Sequence, residues 1–127
     1  MASKGLMIAG LASGSGKTMI TLGLLRALAR RGKAPAAGKT GPDYIDSGFL
    51  SAAAGGKAVN LDQIAMSKPL LARLAADQAG DTLIIEGVMG LFDGASGNAG
   101  SSAALAEALD IPVILVMDIR HTAQTAA

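Results

Sequence analysis

The stretch that most restricts the fold is GLASGSGKT at 10–18, which joins a short apolar run, GLMIAG at 5–10, to a long segment with apolar residues at helical spacing. A glycine-rich loop between a strand and a helix can turn Gly14, Ser15 and Gly16 N–H groups inward around a phosphate, with the helix N-terminus adding partial positive charge. Lys17 then places an ammonium on the outer phosphates, and the Thr18 hydroxyl can ligate magnesium. The usual spacing, G-x-x-x-x-G-K-[ST], would put its first glycine at position 11. Leu11 stands there, and Gly10 lies one place early. The ordinary alternative is a turn carrying a solvated lysine. The strand–loop–helix context is the one phosphate binding requires, so the expectation is a nucleotide loop of Ser13, Gly14, Ser15, Gly16, Lys17 and Thr18.

The rest of the chain alternates in the same way, which predicts an α/β fold around a mostly parallel sheet. GKTMITLGLLRALARRG reads as a helix stopping at Gly32. KAPAAGKT reads as a weaker strand interrupted by Pro35, and GPDYIDSG as a loop opened by Gly41-Pro42. FLSAAAGG predicts a short helix ended by glycines. SKPLLARLAADQAG predicts another, with Ser67 as N-cap and Pro69 in its first turn. DTLIIEGV and IPVILVMDI are continuous apolar strands of the kind buried on both faces. Between them lie the glycine-rich MGLFDGASGNAG and a helix, SSAALAEALD. The glycine-rich stretches fall at strand ends, where open α/β sheets place ligands. No repeat or linker interrupts the pattern. The end, RHTAQTAA, comes abruptly after the last strand, and more chain is expected to follow in the natural protein.

Composition narrows the function. Half the 127 residues are hydrophobic but only 2% are aromatic, which gives little for stacking on bases. A formal net charge of +1 offers no broad basic field for nucleic acid or membrane surfaces. With no cysteine, disulfides, thiolate metal sites and a cysteine nucleophile are excluded within these residues. No signal peptide is read before the first strand, and no apolar run approaches the ~18 residues of a membrane span. A soluble cytoplasmic protein is expected, without nucleic acid or membrane partners.

The early glycine is shared with the dethiobiotin synthetases and the cobyrinic acid amide synthetases. Three further stretches sharpen the match: GKTGPDYID at 38–46, VNLDQIAM at 59–66 and EGVMGLFDG at 86–94. From about residue 5 to 120 the chain resembles the N-terminal, ATP-using domain of the cobyrinic acid a,c-diamide synthase family. The resemblance implies a three-layer, P-loop NTPase-like fold, close to the dethiobiotin synthetases and cut short. Residues 1–127 would be the N-terminal part of an ATP-dependent amide synthase domain, with the C-terminal glutamine amidotransferase domain absent.

Several residues acquire candidate roles. Glu86 ends a buried strand where magnesium and the γ-phosphate should sit, and can bind the metal; a strand-end cap is the plain alternative. Asp62 aligns with a metal-ligand aspartate of the dethiobiotin synthetases, against an equal reading as a helix N-cap in NLDQ. Lys39 would neutralise charge on the transferring phosphoryl group and draw in the substrate carboxylate. Asp43, Tyr44 and Asp46 share a turn that could be a solvent-facing loop. By resemblance that loop touches magnesium (Asp43), the γ-phosphate or the corrinoid (Tyr44 and Asp46). Asp93 would orient substrate or ammonia, or serve as a turn aspartate before Gly94. His121, the only histidine, reads as surface.

The chemistry implied is carboxylate activation with ATP and Mg²⁺ as cofactors: a corrin carboxylate becomes an acyl phosphate, and ammonia displaces phosphate to form an amide. In the family, ammonia comes from a glutaminase domain, so that domain is an expected partner beside the corrinoid, and a homodimer is left open. Alone, this chain is expected to be inactive with glutamine. Two other classes remain at this stage. A partition-type ATPase module would normally carry a second lysine within the loop, where Ala12 and Ser13 stand. A dethiobiotin synthetase would read closer to E-G-A-G-G in place of EGVMG. A purely structural role for the fragment also stays open.

Overall fold

Side-chain parity along the strands decides which helix lies on which face. Successive residues of a strand point to opposite sides. Met7 and Ala9, Leu83 and Ile85 belong to one buried cluster, with Leu71, Ala75 and Leu105. Ile8, Ala37 and Ile84 belong to a second, with Leu25, Leu50 and Ala54. The sheet is therefore covered on both sides, and the architecture is three layers.

The computed structural model describes residues 4–78, 80–97 and 99–126. Five strands, β1 (Gly5–Gly10), β2 (Pro35–Thr40), β3 (Val59–Leu61), β4 (Thr82–Gly90) and β5 (Val113–Val116), alternate with α1 (Lys17–Arg30), α2 (Asp46–Ala54), α3 (Lys68–Ala76) and α4 (Ser102–Leu109). The strands pair in parallel in the order β3-β2-β4-β1-β5. Parallel pairing needs crossover connections, and the helices supply them. Helices α1 and α2 pack on one face and α3 and α4 on the other. Each fully buried Leu or Ile contributes about 1.5–3 kcal/mol relative to exposure, so the two clusters outweigh any surface pairing in holding the layers together.

Several elements follow the sequence closely. Ser67 caps α3, its hydroxyl accepting from Leu70 N at 3.4 Å, with Pro69 in the first turn. Ser101 caps α4 by the same device at 3.1 Å. Other expectations need correction. Pro35 does not weaken β2: it stands at the strand's first residue, where its missing N–H is harmless, and all six residues are buried. The loop after β2 is shorter than predicted, because Asp43 Oδ1 accepts from Ile45 N and Asp46 N and so starts α2 within the acidic stretch. Strand β3 was not foreseen; three residues carry too little periodicity to show. IPVILVMDI forms a strand only over Val113–Val116, and its side chains are largely exposed rather than buried on both faces. It lies at the sheet edge, with β1 as its one strand neighbour among the described residues. No helix among the described residues is long and apolar enough to cross a membrane.

Candidate functional site: a phosphate loop beside a buried lysine–carboxylate cluster

The parity that sorts the core also gathers the polar residues. Lys39 lies two residues beyond Ala37 and Glu86 two beyond Ile84, so both face α1 and α2. They are also direct partners across the β2–β4 pair. Thr18, in the first turn of α1, donates its hydroxyl to Glu86 Oε1. Lys39 Nζ lies 3.5 Å from that same oxygen, 3.2 Å from Asp46 Oδ2 and 3.9 Å from Asp43 Oδ2, and donates to Gly87 O at 3.3 Å. Lys39 is 3% exposed and Glu86 fully buried. Charges so deep persist only when paired, and removing one partner of such a pair typically costs about 3–5 kcal/mol.

The loop itself shows why the early glycine serves. A Cβ on Gly10 would collide with Ser15 Oγ, so the close approach usually assigned to the next position is made here, while Leu11 stays exposed. Gly14 and Gly16 sit at φ 75° and 90°, a region that side chains resist. Gly16 leaves α1 with no side-chain cap, and its first turn holds no acidic residue. A helix start with uncapped N–H groups, followed by the buried Lys17, is suited to an anion. A magnesium ion also fits the residues present. Glu86 Oε2 is buried without a hydrogen-bond partner, beside the Thr18 hydroxyl, which is the hard-oxygen donor set that Mg²⁺ takes.

Beyond Glu86, β4 departs from its partner. Ile8 pairs with Glu86, but Gly10 pairs with Gly90, so three residues bulge where β1 has one. Met89 takes φ 50° in that bulge. Ser102 Oγ accepts from Val88 N at 3.0 Å, and Asp93 Oδ2 accepts from Gly90 N at 2.8 Å, pinning the segment.

The structure thus brings Thr18, Lys39, Asp43, Asp46 and Glu86 together. Asp93 turns back on its own loop. Asp62 Oδ1 accepts from Ile64 N and Ala65 N. It is no helix cap, since α3 begins only at Lys68, but it borders a cleft shared with Asp43. Tyr44 is 87% exposed. His121 is exposed, as expected. Sequence reading passed over Thr40, whose hydroxyl is buried without a partner at the end of β2; its position just before Gly41-Pro42 was the available signal. It also passed over Asp118 and Arg120. These follow β5 and border, with Gly14–Gly16, an open depression of about 360 Å³. The Arg120 guanidinium, 2.5 Å away and hydrogen-bonded to it, holds the Asp118 carboxyl down at about 2, below its usual 3.8.

A phosphate cradle between the first strand and first helix of a parallel sheet, with lysine and threonine opening the helix, defines a nucleotide-binding α/β domain of the P-loop class. Residues 6–125 match the pattern described as the CobQ/CobB/MinD/ParA nucleotide binding domain, and the chain belongs to that family. It is 52% identical over 127 residues to a hydrogenobyrinate a,c-diamide synthase of Brucella anthropi, with 98% of this chain and 29% of that protein covered. Proteins of the same name from Mesorhizobium japonicum (51%, 100% of this chain, 30% of the relative) and Rhodobacter capsulatus (52%, 98% and 30%) are similarly close. The chain spans about 30% of the length of these curated relatives.

Proposed function

We propose that these residues supply the ATP and magnesium site for amidation of the a and c carboxylates of a corrinoid, hydrogenobyrinic acid in preference to cobyrinic acid, in cobalamin biosynthesis. The observation that carries the reading is the junction of the phosphate loop with the Lys39–Glu86–Thr18 cluster. The names of the relatives favour the hydrogenobyrinic substrate. A requirement for ATP supports a cytoplasmic location for the reaction.

In this reading the loop N–H groups and Lys17 hold the β- and γ-phosphates. Thr18 and Glu86 would hold magnesium, which when bound would offset the negative charge of the phosphates. Lys39 exchanges Asp46 for the incoming substrate carboxylate, bringing two anions together that would otherwise repel. The carboxylate oxygen attacks the γ-phosphorus and ADP leaves. Ammonia then adds to the acyl carbon, and phosphate departs as the amide forms. No side-chain nucleophile is needed. Ammonia from glutamine would require a separate glutaminase domain, and without one the 127 residues would bind nucleotide but leave glutamine untouched. Asp62 as a further metal ligand and Asp93 as a substrate contact belong to the same proposal.

Titration of the 127-residue chain with ATP tests the core of it. Glu86→Gln should lower the magnesium dependence of ATP binding about tenfold or more while leaving the fold intact; affinity that ignores magnesium in both proteins would remove Glu86 from the site. Lys17→Ala should raise the Kd for ATP roughly ten- to a hundredfold, as loss of a charged hydrogen bond does. Lys39→Met should change it little, because Lys39 acts on charge that develops later. Equal losses would contradict that division. For substrate, mass spectrometry of products formed when a glutaminase domain completes the system should show amides on hydrogenobyrinic acid. Carboxylation of diaminopelargonic acid, with no corrinoid amide, would move the chain to the dethiobiotin branch.

A further inference from the structure

The phosphate loop has two flanks, and the chemistry above uses one of them. The loop leaves the end of β1, which lies between β4 and β5 in the sheet. On the β4 side stand Glu86 and, one strand further, Lys39. On the β5 side, residues 117–120 form one wall of the open depression of about 360 Å³ whose other wall is Gly14, Ser15 and Gly16. Its charged lining residues are Asp118 and Arg120. The remaining arginines lie elsewhere: Arg26, Arg30 and Arg31 in or just after the later half of α1, and Arg73 on α3.

The Asp118 carboxylate fixes Arg120 by one edge. Arg120 Nε donates to Asp118 Oδ1 at 2.9 Å and to Oδ2 at 3.0 Å, and Nη2 donates to Oδ2. The Arg120 backbone N–H donates to the same carboxylate at 3.1 Å, so Asp118 orders both the turn and the guanidinium. A carboxylate on the Nε–Nη2 edge leaves the Nη1 donors unspent. The Arg120 side chain is 75% exposed, and an ion pair so open to water adds little to stability. What the pairing does achieve is orientation of a planar, permanently charged donor beside the phosphate loop.

We propose that Arg120 is a further nucleotide contact, its Nη1 edge donating to the phosphates that ATP and ADP have in common, with Asp118 as the residue that positions it. The inference rests on the nucleotide site proposed above and adds a contact to it. Sheet order carries it: a phosphate chain seated on the loop N–H groups lies between the two flanks. The β4 flank is acidic, with Glu86, Asp43 and Asp46 around the single Lys39 ammonium. It is also where magnesium, the outer phosphate and the incoming carboxylate would meet. The β5 flank therefore borders the part of the nucleotide that stays behind when the γ-phosphoryl group leaves. A guanidinium there binds ATP and departing ADP alike, which tightens nucleotide binding without favouring the transition state.

The test is isothermal titration of the 127-residue chain with the magnesium complexes of ATP, ADP and inorganic triphosphate. Arg120→Gln should raise the Kd for all three by a similar factor, roughly threefold or more, between the worth of an exposed ion pair and that of a charged hydrogen bond. Wild-type affinity should also fall more steeply with added potassium chloride than that of the variant, because one screened charge contact has gone. Arg73→Gln removes an equally exposed guanidinium, paired with Asp77 along α3, and should leave all three affinities unchanged. Circular dichroism and the unfolding midpoint of Arg120→Gln should match wild type, as expected for an exposed side chain. A smaller loss than threefold for ATP and ADP overturns the contact and leaves the nucleotide site standing. A loss for ATP alone, or for both nucleotides but not triphosphate, overturns the assignment to the shared phosphates. A wild-type chain that binds no nucleotide overturns this contact and the proposed site together.

Discussion

Strands β4 and β5 both carry a run of Leu, Ile or Val and meet different fates. LIIEG in β4 lies between β1 and β2, and every one of those residues is buried. Among the described residues VILV in β5 pairs only with β1, and Val113, Ile114 and Leu115 remain 36–48% exposed. LII in β4 and VILV in β5 both have the apolar character of strands covered on two faces. An apolar run therefore reports the kind of sheet a strand suits, while its neighbours decide how much of it leaves water. Natural edges are usually blunted by charge, proline or a bulge, and β5 has none of these within its four residues.

The contrast can be broken most sharply in β4. Ile85→Ala should cost about 2–5 kcal/mol in denaturant unfolding, because a fully buried side chain would leave a cavity between two layers. A loss below about 1 kcal/mol would mean the layer over β4 is not closed as described. Ile114→Ala should cost under about 1 kcal/mol, since roughly half the side chain is already in water. It should also reduce concentration-dependent association, if the exposed apolar strand is what drives it. A cost matching that of Ile85→Ala would show that β5 is covered in solution. The smallest effect is expected just beyond β5. Asp118 has a folded pKa of about 2 against 3.8, so its pairing with Arg120 adds stability above about pH 4 that is lost as pH falls towards 2. The pair is solvent-exposed, so Asp118→Asn should barely move the unfolding midpoint at pH 7 and should remove only a slight acid-side slope. A large shift at neutral pH would show Asp118 engaged with more than Arg120.

How legible the protein is from its residues follows the same division. The loop and its flanking elements are readable because several independent requirements coincide within GLASGSGKT: a buried strand, glycines at positive φ, and a lysine and threonine opening a helix. Lys39 and Glu86 could be placed on strands, but Glu86 lies in the middle of β4 rather than at its end as expected, because the strand runs on to Gly90; their pairing depends on register between β2 and β4, which no local pattern encodes. β3 was missed because its three residues owe their strand state to β2. The exposure of β5 was missed for the opposite reason. Its local signal is strong, and what it lacks is a neighbour. Asp62 stayed ambiguous because an aspartate before a turn and one before a helix look alike, and only the late start of α3 at Lys68 separates them.

The position of Tyr44 has a practical consequence. The chain contains no tryptophan and a single tyrosine. That tyrosine stands exposed between β2 and α2, one residue from Asp43 and two from Asp46. The tyrosine emission of these 127 residues therefore originates at one point on the rim of the lysine–carboxylate cluster. A change in its intensity on adding nucleotide, corrected for the nucleotide's own absorption, reports on the surroundings of that loop, while a strongly coloured macrocycle docking beside it would quench the signal. The protein carries its own single-site tyrosine reporter, with no label to attach.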